Sequence, residues 1–193
     1  MKRRVKKFNA RTKARSLYDS MMLRVNHAKG YINVKVCKEW EDFENFYEWF
    51  KDQVDKKWYR KGRHLDKDLL SPKDCKIYSP ETCCFLPAKV NLFLVNSSKK
   101  GRKLPPSVIY NPITEFYCAH FSVDGYVISS GDYTTAYDAF QYYKNYKEKM
   151  AKEIAEVLKD KVDPRAYEAM LNFKIIWEDE GTYLEAIEDF DYV

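Results

Sequence analysis

In the segment His64-Leu65-Asp66 an imidazole and a carboxylate stand two residues apart, so an extended strand puts both on one face, where they can share a proton or a cation. The neighbouring charges offer the acids a plainer use. Arg60, Lys61, Arg63 and Lys67 surround Asp66 and Asp68, and ion pairs among them would hold a hairpin together. A second chemistry is phosphate binding. Lys2, Arg3, Arg4, Lys6, Lys7, Arg11, Lys13 and Arg15 form a basic arm with no acid among them, and such cations bind nucleic-acid backbones by releasing counterions. Arg60, Lys61 and Arg63 form a second basic stretch, and Lys99, Lys100, Arg102 and Lys103 a third. The other end has the opposite sign: after Lys174 come Glu178, Asp179, Glu180, Glu185, Glu188, Asp189 and Asp191 with no basic residue. A net charge of +5 averages this asymmetry away.

Other reactive residues carry less. Cys37, Cys75, Cys83, Cys84 and Cys118 are odd in number and contain no C-x-x-C pair, which signals neither a disulfide framework nor a zinc site. Cys83 and Cys84 are adjacent, so an extended segment sends them to opposite faces. Reduced thiols suit a cytoplasm. His27 and His120 have no partners at ligand spacing. No run approaches the ~20 apolar residues of a membrane helix, and the basic start is not followed by an apolar run with a cleavage site, so the expectation is a cytoplasmic protein without membrane partners.

The elements that must position these groups follow from periodicity. Leu17, Met21 and Val25 predict an amphipathic helix over about 11–26, and Phe43, Phe46, Tyr47 and Phe50 at i, i+3, i+4, i+7 predict a second, its aromatic stripe being core with Trp40 beside it. Alternation of Leu65, Lys67 and Leu69 with His64, Asp66 and Asp68 predicts a strand, paired as a hairpin with a short strand over Lys76–Tyr78. Ser79–Thr82 starts a turn that Phe85–Pro87 ends, and Ala88–Val95 is a short packed helix. The polar, basic, proline-broken run Asn96–Pro106 is the linker. Beyond it, 116–122 and 126–130 form a hairpin about Asp124-Gly125, and Gly131–Tyr133 starts a third strand. Thr134 or Thr135 caps a long helix whose face is Ala136, Ala139, Phe140, Tyr143, Met150, Ile154, Val157 and Leu158. Two terminal helices follow, one from Asp163-Pro164 and one from the capping box Thr182–Glu185.

The order Tyr18, Met22, Arg24, then Val36-Cys37-Lys38-Glu39-Trp40, Phe43-Glu44-Asn45-Phe46-Tyr47-Glu48-Trp49, Leu65-Asp66-Lys67-Asp68, Tyr78-Ser79-Pro80-Glu81-Thr82-Cys83 and finally Pro87 with Asn91 resembles phage and prophage HNH endonuclease-like proteins, over roughly Ser16 to Phe93. Tyr117–Ser122, the Asp-Gly turn, Gly131-Asp132-Tyr133 and the Thr134-Thr135 entry to a Tyr/Lys-rich helix resemble the APETALA-type DNA-binding domain, a three-stranded sheet backed by one helix. The resemblance implies an α+β fold: an HNH-like hairpin-and-helix part, then a small antiparallel sheet backed by a long helix and two terminal helices. It divides the chain into a basic arm plus HNH-like domain (1–95), a basic proline-containing linker (96–110), and a sheet-and-helix domain with an acidic helical tail (111–193).

In that family a hairpin and helix clasp one divalent metal, Mg or Mn, while a His following an Asp activates water against the phosphorus. Here the resemblance gives Asp66 and Asn91 as metal ligands, but Lys67 stands where the His is expected. Lysine is a cation at neutral pH and a poor base unless strongly desolvated. The middle Asn falls near Thr82 or Cys83, neither of which is Asn. His64, on the face of Asp66, is the candidate substitute base. The second sheet also departs from its type, because Phe116–Tyr133 offers Asp124 and Asp132 but no Lys or Arg to reach base edges. The expectation is therefore a phage-encoded HNH-like protein that binds nucleic acid, duplex DNA by preference, with a degenerate catalytic site. The alternative is a catalytically inactive protein that binds a host protein or nucleoprotein through the Tyr-rich helix and acidic tail in the host cytoplasm.

Overall fold

The computed structural model describes residues 8–28, 33–72, 76–95, 104–123 and 125–177. Lys2, Arg3, Arg4, Lys6, Lys7, Cys75, the linker cations Lys99, Lys100, Arg102 and Lys103, Asp124, the Thr182–Glu185 capping box and the acidic tail lie outside them. The fold is α+β, with several helices and small sheets, and divides into two compact units. One takes the chain up to Asn91 together with Glu156–Met170; the other takes Leu92–Ala155 and the chain from Leu171.

In the first unit, α1 (Ala10–His27) starts where the Asn9 side chain accepts the Thr12 N–H at 3.0 Å, and its stripe buries Ala14, Tyr18 and Met21. After β1 (Lys35–Val36) a 3₁₀ turn at Lys38–Glu41 carries Trp40 into the core, and α2 (Phe43–Asp55) begins at the Asp42 cap. The predicted aromatic face is core: Phe46 and Phe50 are fully buried, and Tyr18, Trp40, Phe43, Tyr59, Tyr78 and Phe85 pack in the same cluster. β2 (Arg63–Asp66), β3 (Ile77–Tyr78), β4 (Cys84–Pro87) and the part of α3 (Ala88–Phe93) up to Asn91 complete the first part of this unit, to which α5 (Pro164–Leu171) belongs as far as Met170; α5 starts at its Asp163 cap, whose Oδ1 accepts the Arg165 N–H at 2.9 Å.

Two expectations are corrected here. The strand over the Leu65 region does not pair with 76–78. β3 runs parallel to β1, with Lys35 opposite Ile77 and Val36 opposite Tyr78, and β2 pairs antiparallel with β4 instead. Asp66 causes the change by accepting the N–H groups of Asp68 at 3.2 Å and Leu69 at 2.8 Å, which turns the chain out of the ladder although the sequence alternation runs on to Leu69. Phe85–Pro87, expected to close a turn, is strand: Cys84, Phe85 and Leu86 are buried on both faces, and Pro87, which lacks an N–H, ends the strand.

In the second unit β5 (Val108–Asn111), β6 (Phe116–Val123) and β7 (Tyr126–Ser129) form one antiparallel sheet in the order β5-β6-β7. The hairpin turns where expected. Val123 pairs with Tyr126, and Gly125 takes a φ of +86°, which only glycine adopts without strain. The third strand is not Gly131–Tyr133, which makes one bridge from Tyr133 to Tyr117, but β5, which takes up the end of the segment assigned to the linker (96–110) and Asn111 beyond it. Thr135 caps α4 (Ala136–Leu158), accepting the Asp138 N–H at 3.1 Å. Ala136, Ala139, Phe140 and Tyr143 pack with Val108, Ala119 and Phe121 as expected, whereas Val157 is exposed. No described helix is long and apolar enough to cross a membrane.

The chain after α5 is pinned by one carboxylate. Glu148 accepts from Lys144 at 2.7 Å, Lys174 at 2.9 Å and the Ile175 backbone N–H at 3.1 Å. Burial opposes its ionisation, but these donors outweigh it and hold the carboxyl below its ordinary value of 4.5. Its stabilisation is present above that ordinary value and is lost as the pH falls through the lower folded one. Glu148→Gln is therefore expected to speed hydrogen exchange at the Ile175 amide by about tenfold at pH 7. Acidification through that lower folded value should likewise reduce the protection of this amide relative to its intrinsic exchange rate at the same pH. Exchange unchanged in both cases would refute the pin.

Candidate functional site

The residues singled out for chemistry sit on a hairpin followed directly by a helix. Arg63, His64, Leu65 and Asp66 of β2 face Pro87, Leu86, Phe85 and Cys84 of β4, and α3 begins at the next residue. Alternation along this stretch sets the fate of each side chain. Arg63 and Lys67 are buried and Leu65 is half-buried, while His64 is exposed and Asp66 half-buried. Burial raises the Asp66 carboxyl pKa, against the pull of its Leu69 and Asp68 backbone donors.

Lys67 is buried. Its side chain is 8% exposed, its ammonium pairs with Asp68 Oδ1, and it lies 5.8 Å from the Tyr78 ring centroid. Thr82 donates its hydroxyl to the Ile77 carbonyl at 2.6 Å and accepts the Ser79 N–H at 3.2 Å, a latch on the turn into β4. Asn91 differs from these. Its Oδ1 is buried and accepts no hydrogen bond from any described residue, a state that costs about 1–3 kcal/mol. Among the described residues no group of three or more His, Cys, Asp and Glu could hold a metal. Asp66 and Asn91 are nevertheless hard oxygen donors of the kind Mg²⁺ and Mn²⁺ take, and Mg²⁺ sites commonly use one or two protein oxygens with water and phosphate completing the sphere. The donor chemistry fits such an ion, and the orphaned oxygen is the observation in its favour.

The described cations divide into exposed and spent. Arg60 and Lys61 are exposed in the loop before β2. Arg11 is exposed, bonded to both carboxylate oxygens of Glu44, with its guanidinium 4.9 Å from the Tyr47 ring centroid. Arg15 lies over the Phe43 ring at 3.5 Å and 3.8 Å from Asp19, and Lys13 is half-buried on the same helix. Exposed pairs of this kind hold their partners weakly, so they leave a cation open to phosphate. Arg63 is spent. Its buried guanidinium donates to the Trp58 and Lys161 carbonyls, and burial lowers its pKa.

Sequence reasoning missed two clamps. Arg165 donates to the Pro80 carbonyl at 3.2 Å and the Glu81 carbonyl at 3.0 Å while Asp163 grips it at 2.7 Å, fixing the turn that feeds β4. Asp163 was legible only as a helix cap, and nothing local marks its partner. In the second unit Lys147, desolvated to a pKa of about 8, donates to the Phe93 carbonyl. The buried Cys37, Cys83 and Cys84 are free thiols whose pKa values burial raises. His27 is exposed, and His120 meets Ser129 Oγ at 3.4 Å.

The outward face of the second unit's sheet carries Ile109, Asn111, Phe116, Cys118, His120, Ser122, Val127 and Ser129, opposite in parity to the buried Val108, Ala119 and Phe121. No Lys or Arg is among them. Compared with known proteins, the chain matches no protein family, no curated protein and no solved structure.

Proposed function

We propose that this chain is a nucleic-acid-binding protein, phage-encoded and acting in the host cytoplasm, built on an HNH-like hairpin-and-helix scaffold whose catalytic site is degenerate. The observation that carries the reading is Lys67, buried in an ion pair beside Asp66 on a β2-β4-α3 unit, where the family's resemblance calls for a base. His64 is exposed two residues away, and a displaced base is costly: errors of ~1 Å can lose ~100-fold in rate. Asp66 and Asn91 would hold a divalent ion, which when bound supplies positive charge to a phosphate oxygen. Binding itself falls to the basic arm, the Arg60-Lys61 loop and the linker cations, because the outward sheet face offers no cation.

The test is a titration of labelled duplex DNA with the full chain, with and without Mg²⁺ or Mn²⁺, scored for retardation and cutting. Salt-sensitive retardation without cutting is expected. Metal-dependent cutting that disappears in Asp66→Ala would overturn the degeneracy, and absence of retardation at low salt would overturn the nucleic-acid reading. That last outcome would favour the second reading, an inactive scaffold that binds a host protein, for which the uncharged sheet face is the supporting observation.

A further inference from the structure

One face of α4 is built unlike the rest of the molecule. Asp138, Tyr142, Asn145 or Tyr146, and Lys149 recur at three- and four-residue steps, so they line up along the helix. Against this row stands Tyr133, fixed by its paired backbone bonds to Tyr117 at 2.8 Å. Together they enclose an open groove of about 490 Å³ within the second unit. The Tyr133 and Tyr142 rings are 6.4 Å apart between centroids and inclined at 45°, which leaves a V-shaped slot between two aromatic faces. Tyr146 continues the wall, held 5.1 Å from Phe121 of the core. All three tyrosines are half-buried, and no described residue bonds their hydroxyls. Gln141 and Asn145 add carboxamides to the same lining.

We propose that this groove binds an extended, proline-containing peptide segment with a cationic residue at one end and an acidic one at the other. Four features fix that chemistry. A slot between tyrosine rings accepts a pyrrolidine ring, and the hydroxyls and carboxamides, which no described residue bonds, can donate to the carbonyls that a polyproline helix leaves unbonded. Asp138 and Lys149 lie at opposite ends of the groove, eleven residues apart and so about 16 Å along the helix axis. At about 3.1 Å per residue a polyproline segment crosses that span in about five residues, which matches a short motif flanked by charges. Single-stranded nucleic acid is the competing occupant of an aromatic groove, and Asp138 disfavours it, since a phosphate chain would meet a carboxylate at one end and one lysine at the other. The proposal does not depend on nucleic-acid binding by the basic segments.

The experiment is fluorescence anisotropy of the full chain with a labelled decapeptide containing four prolines between an arginine and a glutamate. Saturable binding with a Kd of roughly 10–100 μM is expected. Tyr142→Ala should weaken it at least ~tenfold, as loss of an aromatic anchor does. Asp138→Asn keeps the acceptor that meets Thr135 and so preserves the helix cap, and it should weaken binding by about tenfold. The same change should leave unaltered the weaker binding of a peptide whose arginine is replaced by alanine. Should Tyr142→Ala unfold, the exposed Asn145→Ala reports on the groove in its place, with at least ~threefold weakening expected. The proposal is overturned by absence of saturation, by binding that ignores both the aromatic or Asn145 variant and Asp138→Asn, or by a thymidine oligonucleotide that outcompetes the peptide in a Tyr142-dependent way.

Discussion

Phe85→Ala is expected to destabilise the protein by about 3–5 kcal/mol, the usual cost of emptying a phenylalanine site in a packed core. Phe85 is fully buried in the middle of β4, opposite Leu65 of β2. Its ring stacks on Trp49 at 5.5 Å and meets Tyr59 at 5.0 Å and Phe50 at 5.8 Å edge-on, so one side chain ties the hairpin to α2 and to the loop before β2. Its neighbours are rigid rings, which collapse poorly into a vacated space, and this places the cost at the upper part of the range. For a chain of this length each kcal/mol lowers the melting temperature by about 2–4 °C, so the fall should be roughly 6–20 °C. Ile113→Ala is the control: at 91% exposure it should change stability by no more than ~0.5 kcal/mol. Thermal melts of the two variants that differ by less than about 3 °C would show that the hairpin is not anchored through this ring.

The same hairpin shows where the sequence is legible and where it is not. The helices are local objects. The Phe43, Phe46 and Phe50 stripe, the Thr135 cap and Asp163-Pro164 each state their structure within a few residues, and the structure follows them. The Asp-Gly turn is equally local, and β6 and β7 pair around it. The strand pairings that went astray are decided at a distance. Nothing near Ile77 reveals that its partner is Lys35, and β5 hides among polar and proline residues because its strand character depends on the β6 edge it joins. β4 is an apolar run without alternation, buried on both faces, and periodicity alone cannot separate such a run from a turn or a helix segment.

Of the candidate site, Asp66 was visible from its two-residue spacing to His64, whereas Asn91 was visible only through family resemblance. The roles of Arg63 and Lys67 were present in the residue parity: both share the inward face with Leu65, and a basic residue on an inward face must find a carbonyl or a carboxylate. Composition alone grouped Arg63 with the phosphate-binding cations. Its side chain is instead a clamp between backbone segments.

That distinction sharpens the largest effect expected in solution, the salt dependence of the proposed DNA binding. If Lys2, Arg3, Arg4, Lys6 and Lys7 act with Arg60 and Lys61, the protein makes about seven phosphate contacts, and log Kobs should fall with log salt with a slope near −6. Between 50 and 200 mM salt the affinity should drop by roughly 10³–10⁵-fold, regardless of DNA sequence. Replacing the five arm cations by alanine should reduce the slope by about 4–5, and Arg60→Ala with Lys61→Ala by about 2. Arg63→Ala should leave the slope alone while lowering the melting temperature, because its guanidinium holds the Trp58 and Lys161 carbonyls and reaches no phosphate. A slope that falls by about one in Arg63→Ala would mean that the clamp opens onto DNA. A slope unchanged in the arm variant would place the phosphate contacts elsewhere, with the linker cations Lys99, Lys100, Arg102 and Lys103 the next to replace. The measurement thus separates cations that bind phosphate from those that bind the chain itself, a division the charge count of the sequence does not make.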